Sequence, residues 1–275
     1  MTFNRIAVIG AGTMGSGIAG QIANAGHKVL LLDLTSEATD YALQRLQKSE
    51  PAPLHQRSNI DLIETGTIDD EFDKLAQCDW IVEAVVERLD IKRDLYKRLD
   101  SIINADCIVT SNTSTIPISL LVAEMPSNFQ ARFAITHYFN PVRYMRLLEL
   151  VRGEKTRPDV IEKLSNFNDE VLGKGVVPCN DTPGFLGNRV GVFALQVGMD
   201  EAFKQGLSIE DADALMGRPM GIPKTGVFGL YDMIGVDLMS DVVDTLGDIL
   251  PEQDVFHAVG RSNNLANSLI NTMIE

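Results

Sequence analysis

The sequence predicts an α/β protein: a doubly wound, mostly parallel sheet followed by a smaller all-α domain. Three observations carry this. Short apolar, β-branched runs alternate with helix-length amphipathic stretches through about residue 180. After Asp181-Thr182-Pro183-Gly184 the strand signals stop and helical patches punctuated by Gly and Pro take over. The 275 residues, 45% of them hydrophobic, suffice for two modest cores. The sheet domain is placed at residues 1–182 and the helical one at 183–275.

In chain order, strands are expected at Ile6–Ile9, Val29–Leu32, Trp80–Ala84, Ile108–Thr110, Phe133–Thr136, Leu147–Val151 and Val176–Pro178, each a short apolar run bounded by turn residues. Helices are expected at Thr13–Ala25, Ala38–Lys48, Leu89–Asn104 and Asp159–Leu172, with Pro158 at the start of the last. Gly26 and Gly173 stand where C-caps belong. Residues 185–206 read as one long helix. Beyond it the Gly217–Pro223 cluster and Gly226 break the pattern. Phe193, Met199 and Phe203, at helical spacing, are expected in the core.

Composition narrows the function. Lys and Arg number 24 against 38 Asp and Glu, a formal charge of −14, which disfavours nucleic acid as a partner. Residues 184–275 carry 5 basic and 13 acidic side chains, so the front domain tolerates anionic ligands better. Cys78, Cys107 and Cys179 are widely spaced and odd in number, which points to a reducing cytoplasm and to neither a disulfide framework nor a metal site. Met1 to Arg5 run straight into Ile6-Ala7-Val8-Ile9 with no room for a signal peptide, and no apolar run approaches the ~20 residues of a membrane span.

The first strand leads into Gly10-Ala11-Gly12-Thr13-Met14-Gly15, a GxGxxG that opens a helix. Gly10 permits the tight turn, Gly12 lets backbone approach a pyrophosphate, and Gly15 lets helix and strand pack closely. The helix N-terminus supplies free N–H groups. The second strand is followed by Asp33, whose carboxylate suits both hydroxyls of an adenosine ribose and repels a 2′-phosphate. The reading is a Rossmann-type domain that binds NAD rather than NADP.

In an open α/β sheet, ligands collect beyond the carboxyl ends of the strands. Polar residues follow two of them: Ser111-Asn112-Thr113-Ser114, and His137-Tyr138-Phe139-Asn140-Pro141. Glu149 lies inside the apolar run Leu147–Val151, where a carboxylate is costly to desolvate without a partner. His137, on the preceding strand, is the economical partner, and a carboxylate-bound imidazole suits a general base. The alternatives are a structural histidine and a carboxylate on an exposed edge strand. His27, His55 and His257 read as surface residues.

These segments, with Val82-Glu83-Ala84-Val85-Val86-Glu87, Asp181-Thr182-Pro183-Gly184-Phe185 before Asn188-Arg189, and Gly229–Asp237, resemble the L-3-hydroxyacyl-CoA dehydrogenases in order and spacing. The resemblance covers nearly the whole chain. It implies NAD-dependent oxidation of a fatty acyl-CoA 3-hydroxyl to the 3-ketoacyl-CoA in β-oxidation. His137 would be the base and Glu149 its holder. Ser114 and Asn188 would bond the reacting oxygen or the thioester, and Asn140 would help place cofactor and substrate. Glu87 and Lys92 would lie along the cofactor near its nicotinamide, and Asp33 at its ribose. No metal is implied.

Two departures from the family stand out. Its members usually continue past Met273-Ile274-Glu275 into a Gly-rich Lys-x-Gly-x-Gly-Phe-Tyr segment, so this sequence is expected to be incomplete or part of a longer protein fused to, or associated with, an enoyl-CoA hydratase and a thiolase. The stretch after Asp33 is short where the family often has a helical hairpin with basic contacts to coenzyme A; Lys48, Arg57 and Arg93 are candidate replacements. The family also suggests a homodimer through the helical domain. Rival readings are an NAD-dependent dehydrogenase of a small hydroxy acid and an inactive NAD-binding module.

Overall fold

The computed structural model describes residues 3–221, 224–260 and 264–274. Met1, Thr2, Ile222, Pro223 and Glu275, which figure in the sequence reading, lie outside them. The chain divides into two compact units, Met1–Phe185 and Leu186–Glu275.

The first unit is built on an eight-stranded sheet: β1 (Ile6–Ile9), β2 (Val29–Asp33), β3 (Ile63–Thr67), β4 (Trp80–Glu83), β5 (Ile108–Ser111), β6 (Phe133–Tyr138), β7 (Leu147–Arg152) and β8 (Gly175–Cys179). Their spatial order is 3-2-1-4-5-6-7-8. β1 to β6 run parallel; β7 is antiparallel to β6 and carries β8 with it. The central strands are apolar on both faces because both are covered. Ile6 and Val8 of β1 join the core that includes Ile18, Ile22 and Trp80, while Ala7 and Ile9 join the one that includes Ile81, Leu95 and Phe133.

One strand escapes the sequence reading. β3 is an edge strand of sequence Ile-Glu-Thr-Gly-Thr, with only Ile63 fully buried, so it lacks an apolar run. The helix expected over Leu89–Asn104 ends at Asp100. The helix expected over Asp159–Leu172 begins at Pro158 and gives way after Asn166 to a wider turn, Phe167–Val171. Its N-terminal face buries Val160 and Leu164. His27, expected at the surface, is half-buried with its ring 5.2 Å from that of Phe167.

The described residues of the second unit hold no strand, and their α-helices are Gly187–Lys204, Ile209–Leu215, Phe228–Ile234, Val236–Ile249 and Asn267–Ile274. Met199, Val227, Tyr231, Met239, Val243 and Leu246 form its core. Phe203 does not join them; it is 36% exposed. Gly226, at φ +70°, lets the chain pass Asp213, whose carboxylate accepts from the Phe228 and Gly229 amides and starts the helix there. No described helix is long and apolar enough to cross a membrane.

Candidate active site

β1 and β4 are neighbours in the sheet, so the connections that follow them diverge and leave a crevice at their carboxyl ends. The Gly10–Gly15 turn fills one side. Gly10 has φ +103°, and a Cβ there would lie 2.4 Å from the Ala84 carbonyl oxygen. A Cβ on Gly15 would lie 1.7 Å from the Gly10 oxygen. Gly12 is different: a Cβ there would meet nothing within 4 Å. It caps the helix Thr13–Asn24, whose first turn holds no acid, so Gly12, Thr13 and Met14 leave an open, positively polarised floor. Asp33 closes the turn, accepting from the amides of Ala11 and Leu34. This set fits a dinucleotide: the pyrophosphate needs the space at Gly12 and the helix end, and the ribose needs an acceptor at the tip of β2.

Further along the same edge of the sheet, β6 and β7 face each other with His137 opposite Glu149 in the ladder. Glu149 is 0% exposed, and its Oε2 lies 2.7 Å from His137 Nδ1. The buried carboxylate thus has a basic partner on the neighbouring strand. With Nδ1 engaged, Nε2 is the nitrogen left for a reacting group. The His137 ring sits 4.5 Å from that of Phe139 and 5.7 Å from that of Phe185. Phe185 holds φ +47°, uncommon and costly for a side chain of this size. The thiol of Cys179 lies 3.7 Å from the other Glu149 oxygen.

A second charged cluster joins β4 to β5. Glu83, 0% exposed, accepts at Oε1 from Lys92 Nζ (2.6 Å) and the Val85 amide (2.8 Å), and at Oε2 from Tyr96 (2.6 Å) and Ser111 (2.7 Å). Lys92 also reaches Glu87 Oε2 at 3.2 Å. Lys92 is 1% exposed, so it stands behind Glu87 rather than beside it on the surface. Glu87 Oε1 accepts from the Thr113 hydroxyl, from the Ser114 amide at 3.2 Å, and from Thr115 through both amide and hydroxyl. Burial works to raise the Glu87 pKa, but Lys92 and the two threonine hydroxyls outweigh it and hold the carboxyl below its ordinary range. Ser114 is thus placed through its own backbone.

Asn140 is exposed on the loop after β6. Behind that loop lies a residue missed in the sequence, Lys174, 2% exposed, whose ammonium donates to the carbonyls of Val142 and Met145. Burial pushes its pKa down to about 8. Asp181 caps the turn at Ile118–Leu121 through the Ile118 and Ser119 amides. Asn188 lies in the first turn of the helix Gly187–Lys204, in the second unit. Arg93 does not stand free for coenzyme A: it donates to the Leu120 carbonyl and pairs with Glu124. Glu83, Asn112 and Lys174 had no role assigned from the sequence. For Glu83 the signal was present, since a carboxylate ending an apolar strand invites the argument made for Glu149.

Comparison with known proteins matches residues 5–182 to the 3-hydroxyacyl-CoA dehydrogenase NAD binding domain and residues 184–273 to the C-terminal domain of the same family. The chain belongs to the 3-hydroxyacyl-CoA dehydrogenase family. Its first unit is the family's NAD-binding domain, so NAD is the dinucleotide that the glycine turn serves. A protein of Rickettsia prowazekii named as a fatty acid oxidation complex trifunctional enzyme is 39% identical over 97% of this chain, and the chain spans only 38% of that protein's length. The mitochondrial hydroxyacyl-coenzyme A dehydrogenase of Rattus norvegicus is 34% identical, over 94% of this chain and 85% of the rat protein. Among solved structures, the (S)-3-hydroxybutyryl-CoA dehydrogenase of Ralstonia eutropha superposes with a TM-score of 0.81 at 28% identity, covering 99% of this chain and 94% of that one.

Proposed function

We propose that the protein oxidises the 3-hydroxyl of an (S)-3-hydroxyacyl-CoA to the 3-ketoacyl-CoA with NAD, as a step of fatty-acid β-oxidation, and that His137 is its general base. The observation that carries this reading is the buried His137–Glu149 pair, which cofactor binding alone does not require. Bound NAD+ supplies the hydride acceptor. His137 takes the hydroxyl proton at Nε2 as the C3–H bond yields its hydride and the C3–O bond becomes double. Glu149 holds Nδ1–H and offsets the charge that the ring gains. Ser114 and Asn188 bond the reacting oxygen or the thioester, and Asn140 places cofactor and substrate. Glu87 would serve the nicotinamide end of the cofactor, with Lys92 holding Glu87 from behind, and Asp33 would take the ribose.

A homodimer through the helical unit is part of the same reading, supported by exposed apolar side chains such as Val190, Leu238 and Ile249. The relatives named as trifunctional enzymes support a setting beside, or fused to, an enoyl-CoA hydratase and a thiolase. A reducing cytoplasm suits the buried thiols of Cys78 and Cys107: burial pushes Cys78 up to about 11 and Cys107 to about 12, so neither is a ready nucleophile. The test is turnover of 3-hydroxybutyryl-CoA and longer 3-hydroxyacyl-CoAs with NAD+, followed as NADH formation. Steady production is expected. Inactivity on every acyl-CoA by a chain that binds NADH overturns the reading.

A further inference from the structure

Glu83 is a charge with no solvent and four donors, an arrangement that orients whatever it touches. Its reach extends in two directions. Through its side chain it fixes Lys92 Nζ, Lys92 fixes Glu87 Oε2, and Glu87 Oε1 gathers the amides of Ser114 and Thr115. Through its backbone carbonyl it accepts from the Asn112 amide at 2.7 Å, and the Asn112 side chain accepts from the Tyr138 amide at 2.9 Å, one residue after His137. The first chain of contacts ends at Ser114, and the second ends at the backbone next to His137.

We propose that Glu83 is a positioning residue for catalysis, acting through Lys92 and Glu87 to hold the 112–115 loop and thereby the Ser114 hydroxyl. The role rests on the dehydrogenase reading. Two alternatives fail on the geometry. A plain stabilising ion pair would need only Lys92, yet Lys92 is shared with a second carboxylate that holds the loop. A direct catalytic role is excluded by the full burial of the Glu83 carboxylate.

The test is a double-mutant cycle of Glu83→Gln with Glu87→Gln, read in two ways. Glutamine keeps the shape, and Tyr96 and Ser111 can reverse their hydroxyls to accept from its amide. In the full chain, Glu83→Gln is expected to lower kcat about tenfold and to speed amide exchange at Ser114 and Thr115 by a similar factor. In the Glu87→Gln background the same change is expected to lower kcat less than about twofold, because the link is already cut. An equal loss in both backgrounds, or unchanged exchange at Ser114 and Thr115, overturns the proposal. Should Glu83→Gln not fold, Lys92→Gln tests the next link in the same cycle with the same outcomes. If the parent chain turns over no acyl-CoA, the dehydrogenase reading falls, while the exchange rates still decide whether Glu83 holds the loop.

Discussion

His137 and Glu149 occupy one rung of the antiparallel ladder between β6 and β7, with Nδ1 and Oε2 2.7 Å apart and the carboxylate wholly buried. Twelve residues apart in sequence, they are set by backbone pairing rather than by a flexible loop. A ring held in this way is preorganised before any ligand arrives.

His137→Ala should therefore lower kcat by about 10³-fold, within the range for loss of a general base. The glycine turn lies on other strands, so the NADH dissociation constant is expected to stay within about threefold, a shift under about 0.7 kcal/mol. Steady-state kinetics with a fluorescence titration of NADH checks both. Equal loss of kcat and of NADH affinity would mark His137 as structural.

Glu149→Gln leaves an amide oxygen for Nδ1–H but removes the charge. A fall in kcat of about 10²-fold is expected, smaller than for His137→Ala. Stopped-flow measurement of a single turnover isolates this effect from product release. A Glu149→Gln enzyme as fast as its parent would mean that the ring needs only orientation.

Gly12 and Gly15 should respond oppositely to an added side chain. Gly12→Val meets open space, so the fold is expected to be unchanged and the NADH dissociation constant to rise at least about tenfold. Gly15→Ala drives a methyl into the Gly10 carbonyl, with an expected stability loss of about 1–3 kcal/mol or more. Urea melts beside NADH titrations separate the two. A large stability loss in Gly12→Val would show that the space is not reserved for a ligand.

Lys174 gives stability a pH signature. Its folded pKa, pushed down to about 8 by burial, lies below the ordinary 10.5, so between these values the unfolded chain holds the extra proton. Stability from this residue therefore rises from about pH 8 towards 10.5, with a slope limited to about 1.4 kcal/mol per pH unit. Lys174→Met should remove that rise. Urea melts of both proteins at about pH 7.5, below that window, and at about pH 10, well inside it, make the comparison; identical slopes would show that Lys174 titrates normally.

Much of this was legible in the sequence, and the reasons are physical. β1, β4 and β6 are buried on both faces and so write apolar runs. β3 was hidden because an edge strand needs only one buried face, and Glu64 and Thr65 dilute its signal. Glu149 stood out because apolar residues flank it on both sides. Glu83 also closes an apolar run, but with no apolar residue required beyond it the run alone does not show that it is buried; that depends on Lys92 and Tyr96 arriving from the next helix. Lys174 was hidden because its partners are carbonyls of a distant loop, which leave no trace in composition.

The reversal of β7 has a consequence for how this chain can vary. Residues 139–146 form a bend between two paired strands, so insertions or deletions there leave the His137–Glu149 rung intact as long as the strands stay in step. A single deletion inside β7 before Glu149 is different. It would set the next residue, Leu150, opposite His137 and turn every later side chain of the strand to the other face of the sheet. The His137–Glu149 pair is thus protected against drift in its loop and exposed to a slip of one step in its strand.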